Sequence, residues 1–513
     1  MTRTRRRTPL ITAIASAAAL TLVLSACSGF LPQAGPSASV PSDESVAADL
    51  EPFYSQVLEW ENCASGMQCS TATAPLNWDN PDQGKIELAL IRQVATGDRI
   101  GSLLVNPGGP GASGYDLVAN SVDFATDEKL QAGFDIVGFD PRGVGRSTPV
   151  SCYTDAADMD AYLYDLADAP RGSDEWIAEL TTASADFGAA CSDNTGALLE
   201  HVDTENAARD LDLLRATLGD DKLNYLGYSY GTFLGATYAE LYPDKVGRLV
   251  LDGALDPSTS NFEVTKTQAV GFENALRAYL SDCLTTAECP FDGTVDEAMG
   301  TVGALLASVD NSPIAAADGR ELGSNTLLTA IIYPLYSQSS WPELSTMFDA
   351  VMFGSADEAF VLADTYNGRT SDGTYRDNST EAFLSINCID YAYNDDPAAM
   401  RAQAAEITAA APIIGTYLSF GDIGCANWPY AFEGEREPIN ASGAAPILVV
   451  GTTNDPATPY VWAENLAEQL DSGQLLTFEG EGHTAYNKSN QCVNDTVDAY
   501  LLEGTVPAAD PRC

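Results

Sequence analysis

Gly227-Tyr228-Ser229-Tyr230-Gly231 dictates more about the fold of this chain than any other five residues. Leu223–Leu226 ahead of it reads as a short buried strand, and Thr232–Leu241 behind it as a helix. A serine flanked by glycines between strand and helix is forced into a sharp, strained turn that lifts its hydroxyl above a sheet edge. That turn is the G-x-S-x-G elbow, and it presupposes a parallel sheet with crossover helices.

The rest of the chain supplies such a sheet. Ile86–Ile91 alternates apolar and polar residues as an edge strand does. Gly101–Val105, Phe134–Phe139, Val246–Leu251, Pro446–Val450 and Gln474–Phe478 read as buried strands. The expected fold is α/β: a doubly wound, mostly parallel α/β-hydrolase sheet with its site at the strands' carboxyl ends. From Asp256 to about Asn440 the alternation stops. Helical periodicity takes over at Ala269–Cys283, Val295–Val309, Thr326–Tyr336 and Trp341–Phe353. This is expected to be a large, mainly helical lid inserted into the sheet. Cys152–Cys191 is a smaller insertion, helical at Ser173–Phe187.

An exposed serine hydroxyl is a weak nucleophile and needs a base, which in turn needs a carboxylate to fix its tautomer. The chain has only two histidines. His483, in a Gly-rich loop after the last strand, is the candidate base. His201 precedes both the serine and the amphipathic stretch Ala207–Leu218, and is read as structural. Asp455, in Asn454-Asp455-Pro456, is the candidate acid, with Asp252 after Val246–Leu251 as the alternative. The resulting order of serine, aspartate and histidine is that of the α/β hydrolases. An oxyanion forming on the substrate needs two backbone donors, expected from Tyr230 and from Gly109 in Gly108-Gly109-Pro110-Gly111. No lysine or Walker pattern follows those glycines, which disfavours a phosphate cradle.

The first residues are expected to be cleaved. Arg3, Arg5, Arg6 and Arg7 precede an apolar run, Leu10–Leu24, that is short for a membrane span. Leu24-Ser25-Ala26-Cys27 resembles a bacterial lipobox, which makes Cys27 the lipidation site. The expected organisation is a signal peptide over 1–26 and a Ser/Ala/Pro-rich tether over 27–50. A core then runs over 51–256, the lid over 257–440 and the rest of the core over 441–513. The implied location is the outer face of the cell membrane, reached through the lipid alone.

Net charge is −48, or −52 once the four arginines ahead of Cys27 are removed, since no acidic residue lies before it. Such a chain is not expected to bind nucleic acid or to adhere electrostatically to anionic lipid. Of the 11 cysteines, ten remain after Cys27. An even number in an exported chain suggests disulfides. Loop-closure economy favours the neighbour pairs Cys63–Cys69, Cys152–Cys191, Cys283–Cys289, Cys388–Cys425 and Cys492–Cys513. No metal or cofactor is expected: no C-x-x-C occurs, and neither histidine sits at ligand spacing from cysteines.

Taken together, several motifs resemble one family. Asn106-Pro-Gly-Gly-Pro-Gly-Ala-Ser-Gly, Asp140-Pro-Arg-Gly-Val-Gly-Arg-Ser, Gly227-Tyr-Ser-Tyr-Gly-Thr, Val250-Leu-Asp-Gly, Asp455-Pro-Ala-Thr-Pro and Gly482-His483 look like the secreted tripeptidyl aminopeptidases of actinobacteria. These are α/β-hydrolase-fold serine exopeptidases related to prolyl aminopeptidases. The resemblance implies Ser229, Asp455 and His483 as a triad, with Gly109 and Tyr230 as the oxyanion hole. Pro107 stands where prolyl aminopeptidases carry a histidine, which supports the tripeptidyl branch. The implied substrates are peptides with free N-termini. Asp390, beside Cys388, is the candidate for holding their ammonium group. A carboxylesterase using the same residues is the alternative, and a non-catalytic peptide-binding lipoprotein the third reading.

Overall fold

The computed structural model describes residues 37–63, 66–432, 434, 436–508 and 510–513. Cys27 and the expected signal peptide lie outside them. Ten strands form one sheet. In chain order they are β1 (Ser37–Ala38), β2 (Glu59–Asn62), β3 (Gln68–Pro75), β4 (Lys85–Gln93), β5 (Gly101–Asn106), β6 (Phe134–Phe139), β7 (Leu223–Tyr228) and β8 (Val246–Asp252). After a small ribbon, β9 (Ile314–Ala315) and β10 (Glu321–Leu322), come β11 (Ile447–Asn454) and β12 (Gly473–Glu481). The spatial order is β1-β2-β3-β4-β6-β5-β7-β8-β11-β12. β1 to β4 run antiparallel, and β4 pairs antiparallel with β6. Everything from β6 to β12 is parallel.

The inner parallel strands β5 to β8 and β11 are mainly apolar because both their faces are covered. Successive side chains point to opposite faces. Leu104, Val137, Tyr225, Leu249, Leu251 and Val449 thus join one core, with Leu211, Leu214 and Leu234 of the helices Thr204–Leu218 and Tyr230–Leu241. Leu103, Val105, Ile136, Leu226, Val250 and Val450 join the other, with Val118 of Gly114–Ala125 and Val497 and Leu501 of Gln491–Glu503.

Between β8 and β11 the chain is helical. The expected helices are present as Asn261–Cys283, Val295–Asn311, Ser324–Leu335 and Trp341–Met352. They share a separate core that includes Leu276, Val302, Ile331 and Phe348. Asp357–Tyr366, Ser379–Asp390 and Pro397–Ala410 are further helices there that sequence periodicity did not single out.

The expected flexible tether does not reach residue 50. From Ser37 onward the chain is tied to the body. The Ser39 and Ser42 amides donate to the carbonyls of Leu58 and Ala216 at 2.9 and 2.8 Å. Glu44 meets buried Arg215 at 2.8 Å and Lys245 at 2.7 Å. A Ser/Pro-rich composition reads the same in an ordered loop as in a linker, and here tertiary ion pairs decide.

The Asp140-Pro-Arg motif owes its residues to packing. Arg142, fully buried, forks onto Asp210 with two 2.7 Å bonds and donates to the carbonyls of Pro75, Leu76 and His201. His201 thus contributes its backbone. Arg142→Met leaves Asp210 as an uncompensated buried charge and is expected to cost about 3–5 kcal/mol in denaturant unfolding. Pairing it with Asp210→Leu should not restore stability, because those three carbonyls and the Trp78 indole N–H, which donates to Asp210 at 2.9 Å, stay unpaired.

Candidate active site

The elbow forms where expected. Ser229 follows β7 directly and caps the next helix with φ 56° and ψ −124°, a left-handed conformation that costs a non-glycine residue of the order of 1–3 kcal/mol. Its amide donates to the Asp252 carbonyl at 2.9 Å, and its own carbonyl accepts the Thr232 amide and hydroxyl at 2.8 and 2.6 Å.

Asp455 and His483 meet across the ends of β11 and β12. Both Asp455 carboxylate oxygens lie 2.9 Å from His483 Nδ1. The carboxylate is buried and also receives the amides of Ala457, Thr458 and Thr484 and the Thr458 hydroxyl. Every lone pair is engaged, so the carboxylate has one orientation and the imidazole inherits it. The Thr458 hydroxyl also stands 3.2 Å from Nδ1. Sequence reasoning passed over Thr458, although Asp-Pro-Ala-Thr is the spacing of an aspartate capping the turn that follows it.

Asp252, the alternative acid, is fully buried and points elsewhere. Its carboxylate accepts the Ala485 and Tyr486 amides at 2.8 to 3.1 Å, anchoring the loop just past His483, and burial pushes its carboxyl up. Asp252 and Gly253 nevertheless join the elbow to His483. The Asp252 carbonyl holds Ser229, and a methyl group on Gly253 would sit 3.2 Å from the imidazole Cε1.

The Gly108–Gly111 loop runs directly over the elbow. A side chain on Gly108 would sit 2.8 Å from Ser229 Cβ and 3.1 Å from the Tyr230 amide nitrogen, so only glycine fits. The Gly108 amide is spent on Asn106 Oδ1 at 2.9 Å. The next donor along the loop is the Gly109 amide, since Pro110 has none.

Asp390 lies at the end of the helix Ser379–Asp390, with the Thr204 amide and hydroxyl donating to its carboxylate at 3.0 and 2.6 Å. Thr204 Oγ1 is in turn 2.5 Å from the Tyr230 hydroxyl, so the helix end is linked to the elbow's own side chain. Asp390, Asp203, Glu200, Glu205 and Glu437, together with one cation, Arg436, line a cavity of about 570 Å³. Burial, followed by the charge of Asp203, pushes the Asp390 carboxyl up to about 7. Thr204 and this linkage carry no signal in the sequence.

Five disulfides join Cys63–Cys69, Cys152–Cys191, Cys283–Cys289, Cys388–Cys425 and Cys492–Cys513. No helix among the described residues is long and apolar enough to cross a membrane, and no group of three or more potential metal ligands occurs among them.

A serine on a strained strand-to-helix turn, with a buried aspartate–histidine pair supplied by the next strands of a parallel sheet, defines a serine-type hydrolase of the α/β-hydrolase fold. Known proteins agree. The family described as TAP-like protein matches residues 411–513. Serine protease Hip1 of Mycobacterium tuberculosis is 38% identical over 488 residues, covering 90% of this chain and 92% of that one. Carboxylesterase B of the same organism is 38% identical over 531 residues and covers 99% of each chain. Tripeptidyl aminopeptidase of Streptomyces lividans is 30% identical over 474 residues, covering 89% of this chain and 86% of that one. The chain belongs to the tripeptidyl aminopeptidase-like family of α/β-hydrolase serine enzymes. Its disulfides are those of an exported protein.

Proposed function

We propose that this enzyme is a serine peptidase that releases tripeptides or other short peptides from free N-termini. In this reading His483 Nε2 takes the Ser229 hydroxyl proton as Oγ attacks the scissile carbonyl. Asp455 holds Nδ1–H and stabilises the imidazolium. The amides of Tyr230 and Gly109 receive the developing oxyanion. The imidazolium then protonates the departing amine, leaving an acyl-enzyme that water hydrolyses by the same route in reverse. The observation that carries the reading is the doubly contacted Asp455–His483 pair at 2.9 Å behind the elbow. The serine protease and tripeptidyl aminopeptidase relatives favour peptides as substrates.

A free ammonium group leaving water needs paired charge. We assign that role to the acidic cavity containing Asp390 and Asp203. With Asp390 titrating at about 7, binding of the ammonium strengthens as pH rises toward that value. KM for free tripeptidyl anilides should therefore fall from pH 6 to 7 and rise again above about 8, where the substrate's own amino group loses its proton. Acetylating the amino terminus is expected to lower kcat/KM at least tenfold, about 1.4 kcal/mol. Equal turnover of blocked and free peptides, or turnover of esters without peptides, supports the second reading instead. That reading is an esterase, favoured by the relative named carboxylesterase B. Anchorage through a lipid on Cys27 completes the proposal, and Cys27→Ser should release an active enzyme from the membrane or block processing.

A further inference from the structure

The helical insertion touches each of the three loops that build the site. Against the acid loop, the Gln268 side chain donates to the Ala457 carbonyl at 2.8 Å, and a methyl group on Gly271 would sit 2.5 Å from the Pro456 carbonyl oxygen. Against the glycine loop, a methyl on Gly111 would sit 2.5 Å from the Ser379 carbonyl oxygen. The third contact is on the histidine itself. The His483 amide donates to the Tyr336 carbonyl at 2.8 Å. The Tyr336 ring stands edge-on to the imidazole, with centroids 5.4 Å apart and planes at 86°.

Tyr336 is placed to hold that position. It follows the helix Ser324–Leu335, and its ring packs on Phe272 and Tyr366 of two other insertion helices, at 5.7 and 6.4 Å. His483 sits on a loop entered through Gly482 at φ 99° and left through Thr484 at φ 65°. The amides after it are held by Asp455 and Asp252, whereas its own amide is held by Tyr336. Asp455 holds the imidazole at Nδ1, and the Tyr336 ring meets it edge-on as a second, independent contact.

We propose that Tyr336 is a positioning residue for the catalytic base: its carbonyl fixes the His483 backbone and its ring sets the plane of the imidazole. This rests on His483 being the base. Nothing in it depends on whether the substrate is a peptide or an ester, because the histidine serves both. The insertion is accordingly part of the proton-transfer geometry as well as a cover.

The test compares Tyr336→Phe, Tyr336→Leu and Tyr336→Ala with His483→Ala, each purified as the folded mature protein. All three Tyr336 variants keep the backbone carbonyl, so they test the ring. Phenylalanine keeps it and should stay within about twofold of the parent, whereas leucine and alanine remove it and should lower kcat about 10- to 100-fold, the scale of an ångström of misplacement. KM should hold, and the loss should be equal on peptide and ester substrates and in the rate of fluorophosphonate labelling. Leucine fills the space against Phe272 and Tyr366, so it keeps the test open if the alanine variant unfolds. Parent-like kcat in folded Tyr336→Leu, or a loss confined to KM, overturns the inference. Full turnover by His483→Ala overturns instead the assignment of the base.

Discussion

Replacing Ser229 by alanine is expected to lower kcat by about 10⁵- to 10⁶-fold, the scale of removing a serine nucleophile in other hydrolases. The variant should keep the parent's unfolding midpoint, since alanine meets the same steric conflict at φ 56° that serine does. Glycine does not. Ser229→Gly should therefore be equally inactive but about 1 kcal/mol more stable, the relief of strain exceeding glycine's extra backbone entropy. Stability with inactivity marks strain held for function. Persistent fluorophosphonate labelling of either variant would refute the nucleophile.

Asp455→Asn is expected to cost about 10⁴-fold in kcat, because an amide donating to Nδ1 selects the tautomer that cannot accept the serine proton. The Asp252 carboxylate bonds the Ala485 and Tyr486 amides rather than the imidazole. Asp252→Asn weakens those two bonds, which hold the loop after His483. Its effect should appear mainly as a lower unfolding midpoint, with a much smaller loss of kcat. The reverse ranking would transfer the role of acid to Asp252.

What could be read ahead of the structure divides along a physical line. β5 to β8 and β11 were legible because strands buried on both faces are mainly apolar, and β12, at the sheet edge, through Leu475, Leu476 and Phe478. The elbow was legible because its geometry needs particular residue types at fixed spacing. The order of Ser229, Asp455 and His483 then followed from so few candidates. β2 was not legible, since Trp60 is its one buried residue among Glu59, Glu61 and Asn62. The ordering of residues 37–50 was missed because it depends on Arg215 and Lys245, far along the chain. Tyr336 and Thr204 act through a carbonyl, a ring edge and a hydroxyl that many residues could place there. Their roles arise from where the insertion packs, which local pattern does not encode.

The disulfides pair strictly consecutive cysteines beyond Cys27, with separations of 6, 39, 6, 37 and 21 residues. A chain threading outward from its N-terminus presents each cysteine's correct partner before the next pair arrives. An oxidant that joins thiols in order of emergence therefore yields the native set without reshuffling. Cys27, lipidated as proposed, would have no free thiol to disturb that sequence. Among the described residues no bridge links the helical insertion to the sheet, so β11 and β12, translated after it, can still enter beside β8 once the insertion's two bridges have closed. The covalent pattern thus suits an enzyme whose active site is split across a long insertion and whose C-terminal segment completes it outside the cytoplasm.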